Sequence, residues 1–192
     1  MENANPGKPT GTEGRNMVRR MNDSHAPLRE WAFSFLDWDV NSILDCGCGG
    51  GAALADMEKL APDAGLYGID YSDDCVEVAK ENCPNADIIL ADVSDIPFSD
   101  DSFSLITAIE TVYFWKEPEK AFKEILRVLE DDGTFAAIFE VDGPGRVGPE
   151  AYMYDMTIYS PTQLKDLMKK SGFREVEAHV KGNGYMLAIG KK

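Results

Sequence analysis

Hydrophobic and polar positions follow two different rhythms in the middle of the chain. Between residues 42 and 141, short apolar runs typical of buried strands alternate with amphipathic segments of helical period. The runs that predict strands are SILDC (42–46), GLYGID (65–70), DIILAD (87–92), SLITAI (104–109) and TFAAIFEV (134–141). This alternation is typical of βαβ units and predicts an α/β fold, with a largely parallel sheet covered by helices on both faces.

The segment that precedes these strands changes character near residue 15. Residues 1–14 are poor in large apolar side chains and rich in Gly, Pro and Asn, which predicts a flexible N-terminal tail. From Arg15 the apolar spacing is helical, and a second helix is predicted after Ser24 as its cap, with Pro27 in its first turn. Residues 15–40 are therefore expected to form a helical cap before the sheet.

The C-terminal part predicts an antiparallel end to the sheet. Ser160, Pro161 and Gln163 have the pattern of a capped helix start, and Gly172 is a typical helix end. The runs at 174–180 and 185–190 then flank a four-residue turn, which indicates a hairpin. A chain of 192 residues favours one domain, which we place at residues 15–192, with the last helix and the hairpin in 161–192.

Charge and composition exclude several classes of partner. The formal net charge is -15, so the overall field repels phosphate backbones and anionic lipids, and neither nucleic acid nor a membrane is an expected partner. No apolar run approaches the roughly 18 residues of a membrane span, and no signal-peptide core is present, so a cytoplasmic location is the expectation. The pattern leaves a monomer and a homodimer equally open.

The four cysteines are expected to be reduced thiols in such a compartment. They are Cys46, Cys48, Cys75 and Cys83. The C-x-C spacing of the first two is narrower than the usual spacing of zinc ligands, and no second pair follows, so we predict no metal site. Small sulfur side chains packed around a glycine turn are the preferred interpretation.

Acidic residues close three of the predicted strands, and glycines follow the first of them. Asp45, Asp70 and Asp92 are the strand-end acids, and Gly47, Gly49 and Gly51 follow the first strand. Ligands of open α/β sheets bind outside the carboxyl ends of the strands, where glycine permits close approach of a ligand to the backbone. Residues 47–52 also fit the dinucleotide fingerprint, so a NAD(P)-dependent oxidoreductase is one alternative. The acids disfavour a pyrophosphate but suit a ligand with a sulfonium and an ammonium group.

Four segments carry a family resemblance. DCGCGGG at 45–51 resembles the first motif of class I S-adenosylmethionine-dependent methyltransferases, and GIDYS (68–72), ADVSDIPFSDDSF (91–103) and FKEILRVLEDDG (122–133) are similar to later segments of that family. The resemblance is closest to small-molecule enzymes of the type 11 and quinone-methylating group. It implies a Rossmann-like fold of seven strands, mostly parallel, with a C-terminal antiparallel hairpin strand, an N-terminal helical cap and a cofactor-binding core at 42–141.

The resemblance also implies cofactor contacts, with S-adenosylmethionine as cofactor and S-adenosylhomocysteine as product. The methionine end would lie against Asp45, Gly47, Cys48, Gly49 and Gly51, with Glu110 near the methionyl part. Asp70 would bind the ribose hydroxyls and Tyr71 would pack against the adenine. Asp92 would accept the adenine amino group, while Val93 would offer its backbone amide to the ring. Strand-end acids also serve as turn or helix caps, which is the structural alternative for Asp70 and Asp92.

The implied reaction is in-line transfer of a methyl group to a small apolar or aromatic molecule. Such a reaction rests on alignment and exclusion of water, and a base is needed only when the nucleophile must lose a proton. The catalytic candidates are His25, Glu140 and Tyr113, and the substrate-contact candidates are Trp115 and Tyr154. The connection 142–160 is a hypothetical substrate lid. The alternative for His25 is a role as a helix cap, and the alternative for the aromatic side chains is packing at the sheet edge. A separate alternative for the whole protein is binding of S-adenosylmethionine without turnover.

Overall fold

The computed structural model describes residues 5–141, 154 and 156–192. Within these residues the chain forms helices that flank one seven-stranded sheet. The helices are α1 (Gly11–Ser24), α2 (Ala26–Phe33), α3 (Ala52–Leu60), α4 (Asp73–Asn82), α5 (Pro118–Val128) and α6 (Pro161–Ser171), with a 3-10 turn at Val112–Phe114. The strands are β1 (Ser42–Cys46), β2 (Gly65–Asp70), β3 (Asp87–Leu90), β4 (Phe103–Ile109), β5 (Leu129–Phe139), β6 (Arg174–Val180) and β7 (Met186–Lys191).

The strand order is β3-β2-β1-β4-β5-β7-β6. Neighbouring strands from β3 to β5 are parallel, whereas β7 is antiparallel to both β5 and β6. The chain builds outward from β1 through β3 and then returns to β4 on the other side of β1. The carboxyl ends of β1 and β4 therefore flank the point where the connections diverge, which is where open α/β sheets bind ligands. The predicted mostly parallel sheet with a C-terminal hairpin is confirmed.

Local sequence signals explain most element boundaries. The Ser72 hydroxyl accepts a hydrogen bond from the Cys75 amide at the start of α4. Ser160 and Gln163 form the predicted capping box of α6, and Gly172 ends that helix in the left-handed conformation. These groups satisfy backbone donors and acceptors that a helix end leaves unpaired.

Two apolar layers, one on each face of the sheet, form the core. One layer joins Phe103, Phe122 and Phe135 to buried residues of α5 and α6. The other joins the sheet to α2, α3 and α4 through residues such as Leu28 and Leu54. Because both faces are covered, the strand ends and the loops that follow them are the part of the sheet left for a ligand.

The N-terminal boundary differs from the prediction. Helix α1 begins at Gly11, not at Arg15, and the Gly11 amide donates to Asp74 Oδ2 at 2.7 Å. Pro9 is buried, and its carbonyl oxygen accepts from the Ser72 hydroxyl at 2.6 Å. Residues 11–14 of the predicted tail are therefore helical, and the flexibility of residues 1–14 stays a prediction. Backbone hydrogen bonds and small residues hold this segment, and apolar periodicity does not report such contacts.

Smaller differences concern single boundaries. Ser24 ends α1, and His25 is the residue before α2, without a side-chain capping bond. Strand β5 begins at Leu129, before the predicted start at residue 134, and it contains an irregularity, since the register moves from Phe103 opposite Leu129 to Leu105 opposite Thr134. None of the helices in the described residues is long and apolar enough to cross a membrane. Of the hypothetical lid at 142–160, residues 142–153 and 155 lie outside the described residues.

Candidate functional site

A cavity of about 470 Å³ lies at the carboxyl ends of β1, β2 and β4, within the usual range of about 300–1,000 Å³ for ligand pockets. Its floor is the loop that follows β1, and its walls are the strand-end acids, the N-terminal segment and the residues that follow β4. The position is the one expected from the topology of the sheet.

The glycine loop forms the floor of the cavity through backbone conformations that favour glycine. Gly47 and Gly49 have φ angles of 77° and 53°. A Cβ atom at Gly47 would lie 2.7 Å from Thr111 Oγ1, whereas one at Gly49 would meet nothing within 4 Å. Gly51 also has a positive φ, but it packs against Cys83 and does not line the cavity, while Gly50 does. The loop thus leaves open space above Gly49.

Amides of this loop are already engaged within the protein. The amides of Gly47 and Cys48 both donate to the Ile69 carbonyl oxygen, at 2.7 and 3.0 Å. The Gly51 amide donates to the Cys48 carbonyl oxygen at 2.9 Å, and the Gly49 amide donates to Asp70 Oδ2 at 2.9 Å. Binding of a pyrophosphate by a glycine loop relies on free amides, so this arrangement disfavours a dinucleotide.

Asp45 lies under the loop and is only 1% exposed. The Thr107 hydroxyl donates to Asp45 Oδ1 at 2.7 Å. Burial raises the pKa of Asp45 to about 6, although the hydrogen bond from Thr107 and the charge of Arg29 lower it. A carboxylate removed from water in this way favours a cationic group in the cavity beside it.

Asp70 fixes the loop and borders the cavity. Its Oδ1 accepts from the Ser72 amide at 2.9 Å, and its Oδ2 accepts from the Gly49 amide. Burial raises the pKa of Asp70, while these backbone hydrogen bonds lower it. The capping role and the predicted contact with a ligand are therefore compatible at this residue.

The third acidic strand end is more open than the other two. Asp92 is exposed, and its Oδ1 accepts from the Ser94 amide at 2.8 Å. Tyr71 is 41% exposed, and Lys8 Nζ lies 5.1 Å from the centre of its ring. Asp92, Val93 and Tyr71 all line the cavity. An acceptor, an amide and an aromatic ring on one wall match the needs of a purine base.

An N-terminal segment, residues 5–15, covers this end of the cavity. Pro6, Gly7 and Pro9 line the cavity, and a Cβ atom at Gly7 would lie 2.7 Å from the Phe114 ring. Arg15 then pairs with Asp74 at 2.9 Å and with Glu77 at 2.7 Å. The sequence did not predict that this segment covers the cavity, because its apolar residues do not follow a helix or strand period.

A second cluster of titratable groups, the His25–Glu110–Glu140 cluster, lies where α2 begins and where β4 and β5 end. His25 Nε2 lies 3.9 Å from Glu110 Oε2 and 3.9 Å from Glu140 Oε2. The Tyr113 hydroxyl donates to Glu110 Oε2 at 2.9 Å, and the Glu140 amide donates to Glu110 Oε1. Among the described residues, these three side chains form the group whose ligand atoms are close enough to hold a metal ion.

Burial controls protonation within this cluster. It raises the pKa of Glu110 to about 7, and hydrogen bonds from the Glu140 amide and Tyr113 oppose this shift. It lowers the pKa of His25, a shift that the charge of Glu140 opposes and that of Arg29 reinforces. Glu110 also has a φ angle of 58°, a strained value for a residue other than glycine and a feature that clusters at functional sites.

The structure brings most of the predicted site residues to one cavity. Those that line it are His25, Asp45, Gly47, Cys48, Gly49, Asp70, Tyr71, Asp92, Val93, Glu110 and Trp115. Glu140 and Tyr113 are connected to the cavity through Glu110. Gly51 and Tyr154 are not among the residues that line it.

Some lining residues were not predicted from the sequence. Arg29 is 6% exposed and pairs with Asp56 at 3.0 Å, and Thr111 accepts from the Trp115 indole nitrogen at 2.9 Å. An amphipathic pattern identifies Arg29 only as a polar position on α2, and nothing in the sequence marks it as buried. Hydroxyl and guanidinium groups of this kind are recognised only from the packing around them.

Comparisons with known proteins agree with this geometry. Residues 44–137 match a family model described as "Methyltransferase domain". The chain is 27% identical over 150 residues to the malonyl-[acyl-carrier protein] O-methyltransferase of Geobacter sulfurreducens, an alignment that covers 70% of this chain and 56% of the relative. A solved SAM-dependent methyltransferase from Aquifex aeolicus superposes with a TM-score of 0.80 at 21% identity, covering 92% of this chain and 97% of the other.

Residues 44–137 therefore match a methyltransferase domain, and this match supports the resemblance to class I S-adenosylmethionine-dependent methyltransferases. A chain in the complex of the Haloferax volcanii Trm112 methyltransferase activator with a methyltransferase has the same fold, with a TM-score of 0.81 at 20% identity over 92% of this chain and 93% of the other. The chain spans about half the length of the curated relatives it matches, with values of 49%, 56% and 43% for three of them.

Proposed function

We propose that this protein binds S-adenosylmethionine and transfers its methyl group to a small molecule that enters the same cavity. The observation that carries the proposal is the glycine loop, which gives close backbone access beside Asp45 and Asp70 while its amides at residues 47, 48, 49 and 51 are bonded within the protein. This combination favours a ligand that is cationic and approaches the backbone closely.

The residues present are chemically suited to the cofactor. Asp45 and the loop at Gly47–Gly49 would hold the methionine end, and Asp70 would bind the ribose. Tyr71, Asp92 and Val93 would hold the adenine under the N-terminal segment. Bound there, S-adenosylmethionine supplies a methyl group on a positively charged sulfur atom.

The chain itself contributes positioning and exclusion of water. Aromatic side chains at Phe114 and Trp115 line the part of the cavity that follows β4, and we assign the acceptor to this part. Alignment of two reactants in one site accounts for a large share of the rate in such reactions, without any covalent contribution by the protein. In-line transfer to an apolar or aromatic small molecule remains part of the proposal.

The test of cofactor identity is calorimetric titration with S-adenosylmethionine, S-adenosylhomocysteine and NAD. We expect the two sulfur ligands to bind and NAD not to bind. Asp70→Asn should weaken the binding of both sulfur ligands by at least about tenfold, because an amide cannot replace a carboxylate that accepts two backbone hydrogen bonds and faces the ligand. Asp87→Asn is the matched control, since Asp87 is an exposed acid at the opposite end of the sheet.

Binding of NAD alone would overturn the proposal and favour an oxidoreductase. Binding of the sulfur ligands without S-adenosylhomocysteine formation, across a panel of amine, phenol and thiol acceptors, would favour a protein that binds the cofactor without turnover.

A further inference from the structure

We propose that the methyl acceptor is a small amine, which binds as its ammonium form between the carboxylates of Glu110 and Glu140 beside His25. This inference rests on the proposed function, because it names the substrate class of the same cavity. It is carried by the His25–Glu110–Glu140 cluster, of which Glu110 alone is also expected near the methionyl part of the cofactor.

Three separate elements bring the cluster together at the cavity. His25 lies between α1 and α2, Glu110 follows β4, and Glu140 follows β5. His25 and Glu110 line the same cavity as the glycine loop. The Glu110 side chain is 10% exposed and that of Glu140 is 41% exposed, so one buried and one accessible carboxylate flank the imidazole.

The charge of the cluster selects a cation. Ionised carboxylates only accept hydrogen bonds, and an ammonium group has three donors and no acceptor. Each Glu110 oxygen accepts one hydrogen bond in the structure, while a carboxylate oxygen has room for about two, so further donors can be bound. Arg29 is the neighbouring cation, and its charge is offset by Asp56 at 3.0 Å. An acceptor with a phosphate or carboxylate would face repulsion here.

The imidazole provides a place for the proton that an ammonium must lose before it reacts. Burial lowers the pKa of His25, which favours the neutral ring that accepts a proton at Nε2. The ammonium gives one proton to His25 Nε2, and the freed nitrogen lone pair forms a bond to the methyl carbon. The carbon–sulfur bond breaks with its electron pair left on sulfur. The methylated ammonium leaves, and His25 returns its proton to solvent.

The neighbouring wall suits an aromatic or apolar body on the amine. Phe114 and Trp115 line the cavity beside Glu110. Aromatic faces contribute apolar contact area and attract cations, with about 0.5–2 kcal/mol for a cation over a ring. A compact aromatic amine therefore matches both the charge of the cluster and the wall next to it.

The experiment compares 2-phenylethylamine with 2-phenylethanol, which have the same skeleton but differ in charge. Calorimetry measures the binding of each to the protein saturated with S-adenosylhomocysteine, and mass spectrometry measures S-adenosylhomocysteine formation from S-adenosylmethionine. The variants are Glu110→Gln and Glu140→Gln, and the matched control is Glu117→Gln, an exposed acid that lines the same cavity. Since Glu140 is accessible, its variant provides a test that does not depend on a buried substitution.

We expect the amine to bind and to be methylated, the alcohol to bind at least about tenfold more weakly, and either Gln variant in the cluster to lower amine affinity by about tenfold or more. Glu117→Gln should change it by less than about threefold. S-adenosylhomocysteine affinity should stay within about threefold in Glu140→Gln and Glu117→Gln, which separates this inference from the proposed function.

Three results would overturn the inference. Equal binding of amine and alcohol is one, and amine binding that survives both cluster variants is another. The third is tight binding of Mn²⁺ or Zn²⁺ that Glu110→Gln abolishes, since the cluster would then be a metal site. Failure of S-adenosylhomocysteine to bind the unaltered protein would instead remove the proposed function together with this inference.

Discussion

The two ends of the cavity are built in different ways. The part proposed to hold the cofactor, the cofactor end, contains Asp45 and the glycine loop from one continuous stretch at 45–51, and most contacts there involve the backbone. The part proposed to hold the acceptor, the acceptor end, contains His25, Glu110 and Glu140, which come from distant parts of the chain and meet through side chains. Backbone conformation therefore determines the first end, whereas burial and charge determine the second.

This difference has a consequence for specificity. A backbone site tolerates little change, because its conformation depends on glycine at defined positions. A side-chain cluster can change one residue at a time while the sheet is kept. The comparison predicts that variants at the cofactor end change binding of the cofactor, whereas variants at the acceptor end change pH dependence and acceptor choice.

The largest effect is expected from Gly47→Ala. Alanine in the left-handed backbone conformation of Gly47 costs about 1–2 kcal/mol. Its Cβ atom would also lie 2.7 Å from Thr111 Oγ1, and this close contact costs about 1–3 kcal/mol more. Affinity for S-adenosylhomocysteine should fall by roughly 30-fold or more, measured by calorimetry. Gly49→Ala is the matched control, with a similar strain but no close contact, and it should cost about tenfold or less. Equal losses in the two variants would show that the contact with Thr111 is unimportant.

The next effect concerns Glu110 and pH. Its pKa is about 7 in the folded protein, above the ordinary value of 4.5, so the stability from its protonated form is present below about pH 4.5 and is lost as the pH rises through about 7. Glu110→Gln stays neutral and should gain stability relative to the unaltered protein between pH 5 and 8.5, by at most about 3 kcal/mol. Urea unfolding at the two pH values measures this difference.

The exposed Glu117→Gln is the control for the pH experiment and should show no such gain. A constant difference between Glu110→Gln and the unaltered protein at both pH values would contradict a raised pKa at Glu110.

A moderate effect is expected when the N-terminal segment is shortened. Deletion of residues 1–10 removes Pro6, Gly7 and Pro9 from the wall of the cavity but keeps Arg15 and α1. S-adenosylhomocysteine should dissociate about five- to tenfold faster, with a smaller change in the association rate, because affinity changes within one site act chiefly through dissociation. Stopped-flow fluorescence measures both rates. An unchanged dissociation rate would mean that the segment covers the cavity without retaining the ligand.

The smallest effect is expected from Lys8→Ala. Lys8 Nζ lies 5.1 Å from the Tyr71 ring centre at an accessible site, where such a contact contributes about 0.5–1 kcal/mol. Affinity for S-adenosylhomocysteine should fall by about two- to fivefold. Lys80→Ala removes the same charge from an exposed position on α4 and should leave the affinity unchanged. A similar loss in both variants would attribute the effect to net charge alone.

The sequence by itself determined the sheet and the cofactor end of the cavity. Apolar runs marked the strands, a capping pattern marked the start of α6, and the stretch at 45–51 identified the floor of the cavity, because each of these signals acts between residues close in the chain. The same pattern placed Asp70 and Asp92 at strand ends, the family resemblance added their expected contacts with the cofactor, and both residues line the cavity.

Only the tertiary structure decided that the N-terminal segment covers the cavity and that the side chains of the acceptor end lie together. Residues 5–14 showed no hydrophobic period, yet hydrogen bonds to Ser72 and Asp74 hold them on the domain. His25, Glu110 and Glu140 were separate candidates in the sequence, and their grouping depends on where α2 begins and where β4 and β5 end. Contacts between distant segments are set by packing and by the dielectric of the buried site, neither of which has a local signature in the chain.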